Sequence, residues 1–186
     1  MAKFCIDPGH VGSDSGAVGP PGLMEKDVAL AVALQLKGML EGGGHEVVMT
    51  RDSDIDVGYA YDSATVELQA RCDISNNAGV DYFVSIHCNA ACPEAHGSET
   101  WCSDGSERGT ALAQIFDSNI VTLGLTDRGV KTTAQERLYV LIHTNAPAVL
   151  VETVFISNPE EEQQLVDPAF QAQLAGAIFN GLLQVE

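Results

Sequence analysis

Two histidines and two glutamates stand at the boundaries of predicted strands and helices, where the side chains of an α/β protein meet a ligand. They are His10, Glu25, His87 and Glu152. The loops that follow the strands of an open α/β sheet converge at one edge, and ligands bind at that edge. We therefore expect the four side chains to meet at one rim of the sheet.

Three of these residues form a donor set that zinc accepts. His10, Glu25 and His87 would supply two imidazole nitrogens and one carboxylate, and the fourth tetrahedral position would remain for water, as in catalytic zinc sites. The intervals of 15 and 62 residues between them exclude a compact zinc loop. The set can therefore exist only if the fold assembles it.

Glu152 interrupts the apolar run Val149-Leu150-Val151 of a predicted strand. A buried carboxylate loses much of its solvation free energy unless a cation or a proton meets it, so Glu152 is a candidate for a functional role. The structural alternative is an ion pair between Glu152 and one of three cations, which are Arg51, Arg71 and Lys131.

Structural interpretations also exist for the other residues. A lone histidine near a turn is usually a hydrogen-bonded surface residue, and Glu25 could complement the positive end of its helix. His45 opens a predicted strand and His96 lies in a polar loop, so we assign them no role. Only His143, which follows a strand near Glu152, could support the site.

The elements that must position these residues alternate between strand and helix. Apolar runs predict strands at 2–6, 45–50, 82–87, 98–102, 137–142 and 148–155. Helical spacing predicts helices at 25–40, 64–78, 109–123 and 168–183, with a further helix start at 157–160 and a polar loop at 52–63. This alternation predicts an α/β fold with a largely parallel sheet covered on both faces.

Helical spacing also predicts which side chains face the core. In the helix at 25–40 the apolar positions are Val28, Leu30, Ala31, Leu34, Met39 and Leu40. In the helix at 64–78 the expected inner positions are Val66, Leu68, Cys72 and Ile74.

Length and charge limit the class of protein. A chain of 186 residues without repeat or linker predicts a single domain at 1–186. The net charge of −17 and the absence of a basic run argue against nucleic acid as a partner. The apolar stretches are too short for a membrane span, and the N-terminus contains no apolar signal core. We therefore expect neither membrane insertion nor export by the usual route.

The five cysteines are an odd number and contain no CxxC pair, so we expect buried reduced thiols. A disulfide between Cys92 and Cys102 remains an alternative.

Seven short motifs follow one another along nearly the whole chain. They are Ile6-Asp7-Pro8-Gly9-His10, Asp14-Ser15-Gly16-Ala17, Glu25-Lys26-Asp27, Thr50-Arg51, Ser85-Ile86-His87-Cys88-Asn89-Ala90, Pro147-Ala148-Val149-Leu150-Val151-Glu152 and Phe155-Ile156-Ser157-Asn158-Pro159. Together they resemble the successive signatures of the zinc-dependent N-acetylmuramoyl-L-alanine amidases of the type 3 family. Val11 and Cys88 depart from that pattern, because glycine and alanine are common at these positions.

The resemblance implies a twisted, mainly parallel six-stranded sheet and one Zn²⁺ per chain held by His10, Glu25 and His87. It implies that Glu152 is the catalytic acid and base in the hydrolysis of the amide between the lactyl group of N-acetylmuramic acid and L-alanine. We expect Asn89 to contact the substrate, which would be peptidoglycan in the bacterial cell wall. A phage-type lysin or the catalytic domain of a longer protein would fit this activity.

Cell-division members of the family carry an inhibitory helical insertion before their third helix. The connection at 101–110 is too short to contain one. We therefore expect an uncovered site in a monomer that needs no activator protein. Two alternatives stay open, namely a zinc peptidase or deacylase that acts on another amide, and a non-catalytic wall-binding domain.

Overall fold

Six strands form one sheet in the computed structural model, which describes residues 1–57 and 63–185. The strands are β1 (Lys3–Pro8), β2 (Glu46–Met49), β3 (Tyr82–Asn89), β4 (Ser98–Cys102), β5 (Asp127–Thr132) and β6 (Ala148–Phe155). Their order across the sheet is β2-β1-β3-β6-β4-β5. The predicted loop at 52–63 lies partly outside the described residues.

Four of the strands run in one direction. β2, β1, β3 and β6 pair in parallel, whereas β4 pairs antiparallel with β6 and parallel with β5. β4 and β5 therefore run against the other four. The predicted mainly parallel sheet is confirmed, and its reversal at β6 and β4 lies directly beside Glu152.

Helices cover both faces of the sheet. They are α1 (Glu25–Gly42), α2 (Ala64–Ala78), α3 (Glu107–Ile120), α4 (Tyr139–His143), α5 (Pro159–Val166) and α6 (Pro168–Leu182), and a short 3₁₀ turn follows α3 at Val121–Leu123. The larger core cluster contains side chains of α1, α3 and α6, and the smaller one contains side chains of α2 and α4. We call the side of the sheet that carries this smaller cluster the α2 face.

Alternation along the strands assigns their side chains to these two faces. Phe4 and Ile6 of β1 belong to the larger cluster, and Cys5 between them belongs to the smaller one. Because successive side chains of a strand point to opposite faces, Asp7 lies on the α2 face. The same alternation places Glu152 of β6 on the α2 face, next to Leu150.

One predicted strand is wrong, and one strand was missed. The segment 137–142, predicted as a strand, contains the start of the helix α4, whose Val140 and Leu141 are buried on the α2 face. The fifth strand is instead β5, whose sequence DRGVKT is polar and only partly buried. An edge strand needs no continuous apolar run, so hydrophobic patterning selected the more apolar segment nearby.

The inner faces of two helices also differ from expectation. In α1 the side chain of Leu34 is 41% exposed, while Val32 and Leu36 are fully buried. In α2 the side chain of Val66 is 46% exposed, and Arg71 is buried together with Cys72. α2 therefore presents a partly polar side to the sheet, because it supplies the partner of Asp7.

All five cysteines are free, so the alternative disulfide between Cys92 and Cys102 is not formed. Cys102 is buried and Cys92 is exposed, whereas the expectation was that all five would be buried. Among residues 1–57 and 63–185, no helix has both the length and the hydropathy that a membrane span requires.

Candidate metal and catalytic centre

The four residues singled out in the sequence lie on neighbouring elements at one rim of the sheet. His10 follows β1, and Glu25 is the first residue of α1. His87 of β3 is the register partner of Glu152 on the parallel strand β6. Side chains at paired positions of adjacent strands point to the same face, so His87 and Glu152 lie side by side.

Three of these side chains form a compact cluster of metal-binding groups. One donor atom each from His10, Glu25 and His87 lies within 4.8 Å of the other two. Glu25 stands between the imidazoles, with Oε2 at 3.1 Å from Nε2 of His10 and Oε1 at 2.9 Å from Nδ1 of His87. The structure therefore brings the predicted donor set together.

Hydrogen bonds with neighbouring residues fix the orientation of the side chains in the cluster. Nδ1 of His10 lies 2.8 Å from Oδ2 of Asp14, which leaves Nε2 to face the cluster. The backbone amide of Ala17 donates to Oε2 of Glu25, and the amide of Cys88 donates to Oε1. Such contacts fix the orientation of metal-ligating side chains in known metal sites.

The electrostatics of the cluster favour positive charge between its donor atoms. Burial raises the pKa of Glu25, but hydrogen bonds from His10 and His87 outweigh burial and hold this pKa far below its usual range. Burial lowers the pKa of His10, but the hydrogen bonds and charges of Glu25 and Asp14 reverse that effect and raise it to about 9. A group of donors that stabilises a proton in this way also suits a metal cation.

The backbone at the cluster has little room for larger residues. A Cβ atom at Gly9 would collide with the ring of His87, and a Cβ atom at Gly16 would collide with the ring of His10 and with Oε2 of Glu25. His10 itself has a φ of 57°, a left-handed conformation that non-glycine residues rarely adopt. The two glycines and this turn together allow the imidazoles to approach each other.

Two buried arginines hold the turn that carries His10. Arg71 donates to the carbonyl oxygens of Pro8 and His10, and Arg51 donates to those of Pro8 and Gly9. Arg71 also forms an ion pair of 2.7 Å with the buried carboxylate of Asp7. These contacts satisfy backbone carbonyl groups that the left-handed turn leaves outside regular structure.

The surroundings of Glu152 disfavour the ionised form of its carboxyl group. Its Oε2 is buried and has no hydrogen-bond partner among the residues that the structure describes. Burial raises the pKa of Glu152 to about 7, and the charge of Glu25 adds to this effect while His87 opposes it. The unpaired oxygen adjoins the metal-binding cluster, since Glu152 is in register with His87.

The ion-pair alternative for Glu152 is wrong. The guanidinium of Arg51 binds backbone carbonyl oxygens, and that of Arg71 binds Asp7 and Glu67. Lys131 lies 2.6 Å from Glu99, which is the register partner of Glu152 on β4. In the described part of the chain, none of the three cations pairs with Glu152.

Glu99 is a second buried carboxylate at the same rim, and sequence reasoning missed it. Its oxygens accept hydrogen bonds from Lys131, Arg128 and Trp101 at 2.6, 2.9 and 3.1 Å. Burial raises the pKa of Glu99, but the bonds from Lys131 and Arg128 lower it below its usual range. The alternation of Glu99 and Trp101 in β4 is the only sequence signal that could have indicated their shared face.

A cavity of about 280 Å³ opens beside the cluster. His10 and His87 form part of its wall, and so do Arg137 and Tyr139 from the segment that begins α4. The side chains of His10 and His87 remain 24% and 18% exposed. A substrate group in this cavity would therefore reach the two imidazoles.

Asn89 is not among the residues that line this cavity in the described part of the chain. Its Oδ1 accepts a hydrogen bond from the amide of Ala90, and its carbonyl accepts one from Ile156. The second of these contacts continues the pairing of β3 with β6. A contact between Asn89 and substrate stays a prediction.

The three remaining histidines lie away from the cluster. The ring of His45 packs edge-on against Phe4, and Nδ1 of His96 contacts the carbonyl of Glu94. The ring of His143 stacks on Tyr139 at a centroid distance of 4.0 Å. His143 therefore touches a residue of the cavity wall rather than the cluster.

The donor set fits a zinc ion in kind and number. Two imidazoles and one carboxylate are ligands that catalytic zinc sites use, and they leave one position for a reactant. Glu152 lies beside His87, and its buried Oε2 has no hydrogen-bond partner among the described residues. A nearby cation or water molecule would stabilise this oxygen. His10, Glu25 and His87 could therefore hold the metal, and Glu152 could transfer protons beside it.

Comparison with known proteins gives matches over nearly the whole chain. A family model described as N-acetylmuramoyl-L-alanine amidase matches residues 4–184. The N-acetylmuramoyl-L-alanine amidase LytC of Bacillus subtilis (strain 168) is 36% identical over 180 residues, or 95% of this chain. The germination-specific N-acetylmuramoyl-L-alanine amidase of the same strain is 33% identical over 192 residues, which cover 96% of this chain and 77% of that protein.

A solved structure matches the fold from end to end. The CwlD amidase from Clostridioides difficile, determined in complex with the GerS lipoprotein, has a TM-score of 0.93 and 29% sequence identity, and the match covers 100% of both chains. Relatives differ in length, and this chain spans 34% of LytC.

Proposed function

Because the chain belongs to the N-acetylmuramoyl-L-alanine amidase family, we propose that it hydrolyses the amide bond between the lactyl group of N-acetylmuramic acid and the L-alanine of the stem peptide in peptidoglycan. The observation that carries this proposal is a His-Glu-His cluster whose two imidazoles line an open cavity, with the unpaired carboxylate of Glu152 in register beside His87. We propose that residues 1–186 form one catalytic domain.

His10, Glu25 and His87 would hold one Zn²⁺ per chain. Support comes from their donor types and from the 4.8 Å within which their ligand atoms lie. A zinc ion in such a site supplies Lewis acidity, which makes water a nucleophile near neutral pH and polarises a carbonyl group. Asp14 would keep Nε2 of His10 directed at the ion, because it binds Nδ1 of the same ring.

Glu152 would act as the general base and then as the general acid. Its Oε2 accepts the proton from the attacking water and afterwards delivers that proton to the nitrogen of the departing alanine. A divalent cation beside Glu152 lowers the pKa of this carboxyl group from about 7, because an opposite charge favours the ionised form. Glu152 is then ionised near neutral pH, as a base must be.

The test is a digestion of purified peptidoglycan by the wild-type protein and by the variant Glu152→Gln. We expect the wild type to release stem peptides with N-terminal alanine and to leave the glycan strands intact. Glu152→Gln should bind the same amount of metal and release almost no peptide. New amino termini at another residue would indicate a peptidase, and digestion by neither protein would favour a wall-binding domain.

We also propose that the protein acts on the bacterial cell wall as a monomer without an activator. The segment between β4 and α3 has few residues, and the side chains of His10 and His87 are partly exposed. CwlD of Clostridioides difficile was determined in complex with the GerS lipoprotein, so a relative can bind a partner protein. Digestion by the purified chain alone would support this proposal, and digestion only after a partner is added would overturn it.

A further inference from the structure

Arg137 is a cation without a partner in the wall of the cavity that also contains His10 and His87. Its side chain is exposed, and no other described residue forms a hydrogen bond or ion pair with it. Arg137 lies in the loop just before α4, whose Val140 and Leu141 are buried and whose Tyr139 donates to Gln69. These contacts fix the position of the loop directly after Arg137.

The other arginine and lysine side chains have partners. All nine lie within residues 1–57 and 63–185. Seven of them bind an acidic side chain or a backbone carbonyl oxygen, namely Lys3, Lys26, Lys37, Arg51, Arg71, Arg128 and Lys131. Arg108 lies over the ring of Tyr82, away from the cavity. Of the two arginines that line the cavity, Arg71 is bound by Asp7 and Glu67, so Arg137 is the one that remains available to a ligand.

The charges around the cavity are unevenly distributed. The carboxylates of the wall are already bound by His10 or Arg71, and they belong to Asp7, Asp14 and Glu67. Arg137 contributes an uncompensated positive charge. The chain as a whole carries a net charge of −17, so it repels an anionic substrate at long range. Apart from the proposed zinc site, Arg137 is the part of the wall that offers a negative group an unpaired positive charge.

We propose that Arg137 is a substrate-binding residue that takes a carboxylate of the stem peptide close to the scissile amide. This inference rests on the proposed function and adds the preferred substrate class, which is a muramoyl peptide whose second residue keeps a free α-carboxylate. A guanidinium group presents a planar pair of donors that matches a carboxylate, and an amide in its place offers no negative charge. Amidation of that carboxylate therefore weakens the substrate.

The test uses two synthetic N-acetylmuramoyl tripeptides with an amidated C-terminus. They differ only in whether the α-carboxylate of the second residue, a glutamate joined to the third residue through its γ-carboxyl group, is free or amidated. The metal-loaded wild type should hydrolyse the free-carboxylate substrate with a kcat/KM about 10- to 100-fold higher than the amidated one. Arg137→Gln should remove this preference by slowing only the free-carboxylate reaction, and Arg137→Lys should retain part of it.

Arg108→Gln is the matched control, because it removes another exposed positive charge at a distance from the cavity. It should leave the preference unchanged. Equal loss on both substrates in Arg137→Gln would overturn the inference, and so would an unchanged preference. If the wild type hydrolyses both substrates equally well, the inference fails while the proposed function stands. If it hydrolyses neither, the proposed function itself fails.

Discussion

Two carboxylates at the same rim of the sheet have opposite surroundings. Glu99 of β4 and Glu152 of β6 are register partners, so they lie side by side on the α2 face. Glu99 accepts hydrogen bonds from Lys131, Arg128 and Trp101, whereas Oε2 of Glu152 has no hydrogen-bond partner among the described residues. Burial is common to both carboxylates, so it is the lack of a hydrogen-bond partner at Oε2 that supports the proposed role of Glu152.

The pKa values of the two groups reflect this difference. Burial raises both, but Lys131 and Arg128 bring the pKa of Glu99 below its usual range, while the pKa of Glu152 stays raised at about 7. Glu99 therefore contributes to stability as an anion in an ion-pair network. The ionised form of Glu152 lowers the stability of the folded protein unless a cation lies beside it or the carboxylate takes up a proton.

The largest expected difference between the two carboxylates is in catalysis. Glu152→Gln should lower kcat/KM by roughly 10³-fold, since the loss of a general acid and base typically costs 10² to 10⁴. Glu99→Gln should change kcat/KM by less than about 10-fold, because its carboxylate is occupied by other side chains. Steady-state kinetics on one muramoyl peptide would measure both, and a loss in Glu99→Gln as large as that in Glu152→Gln would remove the distinction.

In the metal-free protein, Glu152→Gln should increase stability. Folding raises the pKa of Glu152. Ionisation of its carboxyl group therefore lowers the free energy of unfolding increasingly as pH rises from about 4.5 to 7. The variant should gain up to about 3 kcal/mol in the free energy of unfolding above pH 7, and nothing below pH 4. Urea unfolding of chelated protein across this pH range measures the gain, and a variant less stable at pH 8 would contradict the account.

Glu99→Gln should have the opposite effect on stability. Its pKa is lowered on folding, so the contribution of the carboxylate is present at neutral pH and is lost as pH falls below the usual range of the group. We expect a loss of about 2 kcal/mol at pH 7, because Lys131 and Arg128 lose a shared partner but remain partly exposed to water. The loss should shrink on acidification, and a loss that does not change with pH would indicate a packing defect instead.

The smallest expected effect concerns the support of His10. Asp14→Asn weakens the hydrogen bond to Nδ1 of His10 and should lower zinc affinity by about 10-fold, near the lower end of the range for such supporting groups. Asp14 is 56% exposed, so solvent screens its charge. Competition with a chelator measures the affinity, and Glu41→Gln provides a control with an exposed acidic residue that binds Lys37 near the other end of α1.

The residues at strand and helix boundaries could be predicted from the sequence. His10, His87 and Glu152 follow or interrupt apolar runs that do form β1, β3 and β6, and Glu25 does open α1. Such boundaries meet at one rim in any open parallel sheet, so local patterning is enough to select them. It was also enough to predict helices on both faces.

What could not be predicted depends on which elements become neighbours. Arg71 pairs with Asp7 rather than with Glu152, and only the packing of α2 against β1 decides this. β5 has a polar sequence around Gly129 and joins the sheet through its pairing with β4. The position of Arg137 in the cavity wall likewise follows from the place of α4, which local patterning misassigned as a strand.

The most direct test of the central claim is the zinc content of purified variants, measured per chain by elemental analysis. If the donor set is His10, Glu25 and His87, the wild type should hold about one zinc per chain. The control variant His143→Ala should hold as much, because the ring of His143 stacks on Tyr139 and lies away from the donor set. His87→Ala should lose the ion. A His87→Ala protein that is folded and still holds one zinc per chain would contradict the account.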